Sequence, residues 1–287
     1  MTTYKGIKGF NIQTVSSDPP APFIGQVWYN STSNTVKYFT NVPSSWATGG
    51  NLGTGRYNLG GVGTQTAGLA FGGGPSVPNV GMLTEEYNGS AWTGGGNLTT
   101  SRESLAGAGT QTAGLAFGGR TAPPRQSLNA TEEYNGSSWT NGGNLGTARY
   151  FLAGAGTQTA GLAFGGASPE TSTKNATEEY GGTSWTAGGN LGTARSALAG
   201  AGTQTAGLAI GGSPGGSNET NASEEYNGTA WTAGLQTAAL AFGGLGSGIP
   251  TQTEEYDGSS WTTGATLNIA RLRLGGAGTQ TAGLGFG

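Results

Sequence analysis

The chain contains no cysteine and no histidine. Without cysteine there is no disulfide, no thiolate metal site and no thiol nucleophile. Without histidine, the side chain that most often moves protons near neutral pH is missing, along with the commonest metal ligand. Charge is scarce as well: 9% of residues are charged and the formal net charge is −3. That balance offers no electrostatic footprint for nucleic acid or an anionic membrane. The first residues, "MTTYKGIKGFNIQTVSSDPPAP", hold no apolar h-region, so no secretory signal is expected. No stretch approaches the roughly 18 apolar residues of a membrane-spanning helix. The expectation is no cofactor, no metal, no nucleic acid and no membrane insertion.

What is abundant is glycine: 59 of 287 residues, beside 7 tryptophans and 10 tyrosines. Glycine has no three-residue period, which excludes a collagen helix. The aromatic residues supply large apolar area to bury and argue against disorder.

The glycines and aromatics recur together. Tryptophans stand at 46, 92, 139, 185, 231 and 261, a spacing of 46 or 47 residues that drops to 30 at the last step. "TEEYNGSAW" (84–92) returns as "TEEYNGSSW" (131–139), "TEEYGGTSW" (177–185), "SEEYNGTAW" (223–231) and "TEEYDGSSW" (253–261). "GTQTAGLAFGG" (109–119) returns from 63, 156 and 202 and, truncated, from 278. Each unit predicts four strands: a ("LAGAG"), b ("GLAFGG"), c ("EEY") and d ("SxW"). Asn-Gly, Gly-Gly or Asp-Gly between c and d predicts a tight type I′ turn. "TQTAG" is the a–b turn. Strand a is nearly all Ala and Gly, which suits a crowded axis where backbones converge.

Four antiparallel strands per period of this length predict a β-propeller blade, and here the sequence resembles the kelch family. Gly118-Gly119 with Tyr134 and Trp139, and Gly165-Gly166 with Tyr180 and Trp185, match the family's Gly-Gly, Tyr and Trp positions. "NLGTAR" (144–149) matches its loop and arginine before the next strand a. The resemblance covers roughly residues 35–287 and implies an all-β, six-bladed kelch-like propeller. The C-terminus supplies strands a and b of the last blade. "TVKYFTNVPSSWATGG" reads as its strands c and d, closing the ring from both chain ends. Residues 1–34 then form an N-terminal attachment segment. "PPAPFIGQVWYNSTSNTVKYF" resembles N-terminal segments of phage tail-fibre and virion structural proteins. Kelch-like oxidases use a copper site with His and a Cys–Tyr link, and this chain has neither residue.

Four features could carry chemistry. The Glu pairs (85/86, 132/133, 178/179, 224/225, 254/255) resemble an acid/base dyad, but neighbouring strand residues point to opposite faces. One Glu per sheet face, in an architectural role, is the expectation. Arg56, Arg102, Arg149, Arg195 and Arg271 each precede a strand a. They either ring the channel mouth or pair with strand c glutamates, and buried charge favours pairing. Trp46, Trp92, Trp139, Trp185, Trp231 and Trp261 either stack sugars or pack between blades. One fixed place per blade favours packing. The "GGG" and "GxGxxG"-like runs open no helix and predict no phosphate site.

The a–b and c–d turns barely vary, whereas the b–c loops vary freely. Strand order puts the b–c and d–a loops on one face, the expected recognition face. Arg120, Arg125, Lys174 and Asn218 are its candidate binding residues. The functional expectation is a non-enzymatic phage virion protein whose propeller serves adhesion or docking. Its partners would be other virion proteins, a host receptor or glycan, or further copies of itself. The alternative is a carbohydrate-binding lectin propeller. A carboxylate-only hydrolase is the least favoured reading.

The short fifth unit, "EEYNGTAWTAGLQTAALAFGG" (224–244), lacks a d–a loop and strand a. Where full units start strand b with Gly68, Gly114, Gly161, Gly207 or Gly283, it has Ala239. If that glycine serves the tight a–b turn, losing the turn explains losing the glycine. Either "TAGL" crosses the disc to strand b, or "LQTAALAF" takes the inner position. Residues 9–17 are the one spare strand-like segment that could patch the gap.

Overall fold

The structure, a computed structural model, describes residues 13–17, 27–38, 47–74, 80–121, 123, 125–168, 172–215, 219–233, 239–242, 253–256, 261–263, 267, 275–279 and 282–286. The chain separates into two compact bodies, Met1–Ser45 and Trp46–Gly287. Among the described residues no helix is long and apolar enough to cross a membrane.

The first body is a three-stranded sheet. Gln13–Val15 pairs parallel with Val27–Asn30, which pairs antiparallel with Thr35–Tyr38. Asn30 builds the turn: its Oδ1 accepts from the Thr32 and Ser33 backbone N–H groups, 3.0 Å each. Two expectations change here. Residues 35–38, expected as strand c of the closing blade, belong to this N-terminal sheet. Gln13–Val15, the candidate patch for the short unit, also pairs here. The physical reason is local: "VWYN" and "TVKY" are joined by a short polar turn and find each other before any distant edge.

The second body repeats one sheet. Unit 1 has strands a Gly60–Thr64, b Ala67–Phe71, c Thr84–Tyr87 and d Trp92–Gly94. Unit 2 has Ala106–Gly109, Gly114–Phe117, Thr131–Tyr134 and Trp139–Asn141. Unit 3 has Ala153–Gly156, Gly161–Phe164, Thr177–Tyr180 and Trp185–Ala187. Unit 4 has Ala199–Thr203, Ala206–Ile210, Ser223–Tyr226 and Trp231–Ala233. In each the order is a-b-c-d, all antiparallel, as in propeller blades. A two-stranded sheet, Gly275–Thr279 with Ala282–Phe286, supplies strands a and b of a sixth unit.

The fifth unit is a three-stranded sheet: Ala239–Phe242, Thr253–Tyr256 and Trp261–Thr263. Its register is Ala239 opposite Tyr256 and Phe242 opposite Thr253. That is the b–c register of unit 1, Gly68 opposite Tyr87 and Phe71 opposite Thr84. So "ALAF" is strand b, and the reading that puts it at the inner position is overturned. Pairing decides it: this register gives each residue of the strand the same strand c partner as its counterpart in unit 1.

Strands a lie side by side from unit to unit, and Gly275–Thr279 lies beside Gly60–Thr64. The approach is close. A Cβ on Gly154 would stand 2.5 Å from the Gly107 carbonyl oxygen, and one on Gly200 2.6 Å from that of Gly154. No side chain other than hydrogen fits there, so the Gly in "LAGAG" is dictated by the neighbouring backbone.

Two turn assignments need correction. The c–d connection is a four-residue loop, with Tyr134 opposite Trp139, and not a two-residue type I′ turn. Asn135 Oδ1 accepts the backbone N–H groups of Ser137 and Ser138 at 3.0 and 2.9 Å, so only Gly136 needs positive φ (90°). The glycine that starts strand b is likewise not a turn residue. In the a–b hairpin the positive φ falls on Gly63, Gly109, Gly156 and Gly202, at the end of strand a. Gly114, Gly161 and Gly207 make room for a leucine of the preceding unit: an added Cβ would meet Leu69, Leu115 or Leu162 at 2.8, 2.7 and 2.7 Å.

Candidate functional site: the loop face and the seams that hold it

The arginine before each strand a is buried: Arg56, Arg102, Arg149 and Arg195 are 4%, 1%, 0% and 0% exposed. Each guanidinium works inside its own unit. Arg149 Nη1 donates to the Gly165 and Ala176 carbonyls at 2.9 and 2.8 Å, the two ends of the b–c loop. Its Nη2 pairs with Glu178 Oε1 at 2.8 Å. The second Glu178 oxygen accepts the Gly146 backbone N–H, in the d–a loop, at 2.6 Å. Arg56 with Glu85, Arg102 with Glu132 and Arg195 with Glu224 repeat the arrangement. The cation therefore staples the bases of both loop-face loops together. Burial lowers the pKa of each arginine and its glutamate opposes that. The pairing alternative is the one the geometry realises for these four.

The second glutamate of the first three pairs, Glu86, Glu133 and Glu179, looks the other way and crosses the seam. Tyr134, Tyr180 and Tyr226 donate their hydroxyls to Glu86, Glu133 and Glu179 of the preceding unit, each at 2.5 Å. Burial, then the bond to the carboxylate, pushes all three phenols up to about 12. The tryptophans sit in the same seam. Trp139, Trp185 and Trp231 donate Nε1–H to Thr84, Thr131 and Thr177 of the preceding unit at 2.8–2.9 Å. Their rings lie 5.0, 4.9 and 4.8 Å from Phe71, Phe117 and Phe164. Trp92 packs on Tyr87 of its own unit. Trp261 opens strand d of unit 5 at the matching position. Trp46 and Arg271 lie outside the described residues.

Two seam contacts escaped the sequence reading. Gln111, Gln158 and Gln204, in the "TQT" turns, donate Nε2–H to carbonyls of the preceding unit. For Gln158 these are Gly114 O and Tyr134 O, at 3.1 and 2.7 Å. The signal was present, since a turn residue repeated without change needs a side-chain reason. The other contact had no such signal. Asn58, Ser104, Phe151 and Ala197 share a left-handed φ of 52–57°. Their backbones form a chain from unit to unit: Ser104 N–H to Asn58 O, Phe151 N–H to Ser104 O, and Ala197 N–H to Phe151 O, at 2.8–2.9 Å. Because backbone makes the bonds, four different side chains serve equally.

The candidate binding residues separate. Arg120 pairs with Glu103 at 3.0 Å and lies over the Tyr150 and Phe151 rings at 4.9 and 5.2 Å. It joins unit 2 to unit 3 and is committed to the scaffold. Arg125 is exposed on the b–c loop of unit 2. Lys174 is half-buried, and its backbone bonds Gly166 O and Arg195 N–H. Asn218 lies outside the described residues. Among the described residues no shared contact joins Arg120, Arg125 and Lys174. No family model matches the chain, and a search of curated proteins finds no match.

Proposed function

We propose that the chain is a non-enzymatic structural protein of a phage particle, whose six-bladed kelch-like propeller is an adhesion or docking head. Ring closure is supported by Gly275–Thr279 lying beside Gly60–Thr64, which brings the two ends of the repeat array together. The observation that carries the functional reading is how charge is used. In each of the four full units the repeated Arg and the first Glu are consumed in one internal staple, and at the described seams the second Glu is consumed by a neighbouring Tyr. Above this fixed frame the b–c loops carry unrelated sequences, with Arg125 exposed on one of them. A rigid base with variable loops suits recognition more than proton transfer. The phage assignment rests on the resemblance of the N-terminal segment.

Immunogold labelling of particles from the source tests it: label on the virion surface is expected, and label on no particle sinks the reading. A glycan array decides whether the loop face reads sugar. The lectin alternative now lacks its stacking platforms at Trp139, Trp185 and Trp231, whose indoles are used in seams.

A further inference from the structure

We infer, independently of the virion reading, that the c–d turns are sites of spontaneous covalent modification. Asn88, Asn135 and Asn227 convert to aspartate through a cyclic imide formed with the glycine that follows each of them.

The chain contains four Asn-Gly steps: 88–89, 135–136, 141–142 and 227–228. All four asparagines are exposed. The reaction joins the glycine backbone nitrogen to the asparagine Cγ, and glycine has no side chain to obstruct the approach. The nitrogen gives its proton to solvent, the Cγ–Nδ2 bond breaks and ammonia leaves. Water then opens the imide at one of its two carbonyls, which yields aspartate or isoaspartate. Nothing is oxidised or reduced, and water is the only other reactant.

The structure divides the four steps. Attack needs a glycine nitrogen that is free and an asparagine oxygen that can take up negative charge. Both conditions hold in the three turns. Gly89, Gly136 and Gly228 stand at φ of 93°, 90° and 89°, and their N–H groups make no hydrogen bond among the described residues. Asn135 Oδ1 accepts the Ser137 and Ser138 N–H groups at 3.0 and 2.9 Å and their hydroxyls at 2.9 and 3.4 Å. Asn88 Oδ1 accepts the Ser90 N–H and hydroxyl and the Ala91 N–H at 3.0, 2.9 and 2.9 Å. Asn227 Oδ1 accepts the Thr229 and Ala230 N–H groups at 3.0 and 2.9 Å. Donors already fixed on that oxygen stabilise the charge it gains when Cγ is attacked, as in an oxyanion hole. Asn141 differs on both counts. It ends strand d of unit 2, and the Gly142 N–H is committed to the Thr131 carbonyl at 3.0 Å. Among the described residues its Oδ1 accepts only the Thr99 hydroxyl, at 3.3 Å.

The aspartate product fits the turn. A carboxylate oxygen accepts the same N–H groups more strongly than an amide oxygen does. The sequence itself carries Asp257-Gly258 at the matching place in unit 5. Each conversion adds one negative charge at the strand ends away from the b–c loops, so the turn face grows more acidic with age.

The test ages the whole folded chain at mildly alkaline pH and follows each Asn-Gly step by peptide mapping and mass spectrometry. Asn135 should convert at least about tenfold faster than Asn141. In urea, where the fold is gone, the two should convert at similar rates. Ser137→Ala, a change at an exposed position, should slow conversion at Asn135 several-fold and leave Asn88 unchanged. Equal rates at Asn135 and Asn141 in the folded chain, or faster conversion at Asn141, overturn the inference. So does an Asn135 rate untouched by Ser137→Ala. A difference that persists in urea would assign it to local sequence and also overturns it.

Discussion

The seam between units 3 and 4 and the seam that follows unit 4 are built from the same sequence pattern, yet they differ at every layer. In the first, Phe164 is fully buried against Trp231, Tyr226 bonds Glu179, and Ala153 and Ala155 are covered. In the second, Ile210 replaces the phenylalanine and is half-buried, and the alanines of strand a are open. Glu225 has a buried Oε1 with no hydrogen-bond partner. The difference teaches that a unit does not seal itself. Its inner strand is finished by the strand a of the next unit, as expected of repeat proteins whose stability is shared between neighbours.

The largest contrast is expected from truncating the two matched apolar residues. Phe164→Ala should cost about 3–5 kcal/mol, the usual range for a buried phenylalanine. Ile210→Ala, at an already loosened site, should cost clearly less, below the roughly 2 kcal/mol lower bound for buried isoleucine. Urea denaturation of both variants checks the pair, and equal losses would contradict it. Overpacking is the next contrast. Ala155→Leu should cost about 1–3 kcal/mol, because the covering strand leaves no room. Ala201→Leu should stay within about 0.5 kcal/mol. Equal thermal shifts for these two would mean the second seam is closed.

How much of this was legible before the structure? The repeat, the four-strand unit and the shortening of unit 5 could all be read, because period and alternation are local. The Arg–Glu staple could be anticipated because a repeated buried-type charge needs a partner. Other features could not. Gly114 and Gly161 yield to a leucine from another unit, which no local pattern reveals. Asn58, Ser104, Phe151 and Ala197 share a backbone role and no side chain. Thr35–Tyr38 looked like strand c because it ends in Tyr, but a nearer partner strand captured it.

Ionisation gives the third contrast. Tyr134, Tyr180 and Tyr226 have folded pKa values near 12, above the ordinary 10. Their stabilisation is complete below pH 10 and is lost as pH rises towards 12, because the unfolded phenols ionise first. Tyr226→Phe should cost about 1–3 kcal/mol by leaving Glu179 without its donor, and should flatten that alkaline loss. The smallest effect is expected at Glu225, whose pKa burial raises. A raised acid contributes stability below its ordinary value of 4.5 and loses it as pH climbs through the raised one. Glu225→Gln should therefore stabilise the protein slightly at neutral pH and change nothing at low pH. A loss at neutral pH would show that Glu225 has a partner.

The most direct measurement is residue-resolved native-state hydrogen exchange of the inner strands. Amides of Ala106–Gly109 and Ala153–Gly156 should exchange only with large-scale unfolding, while those of Ala199–Thr203 should exchange through a lower-energy local opening. Equal protection in all three strands would contradict the view that each unit is sealed by the one that follows.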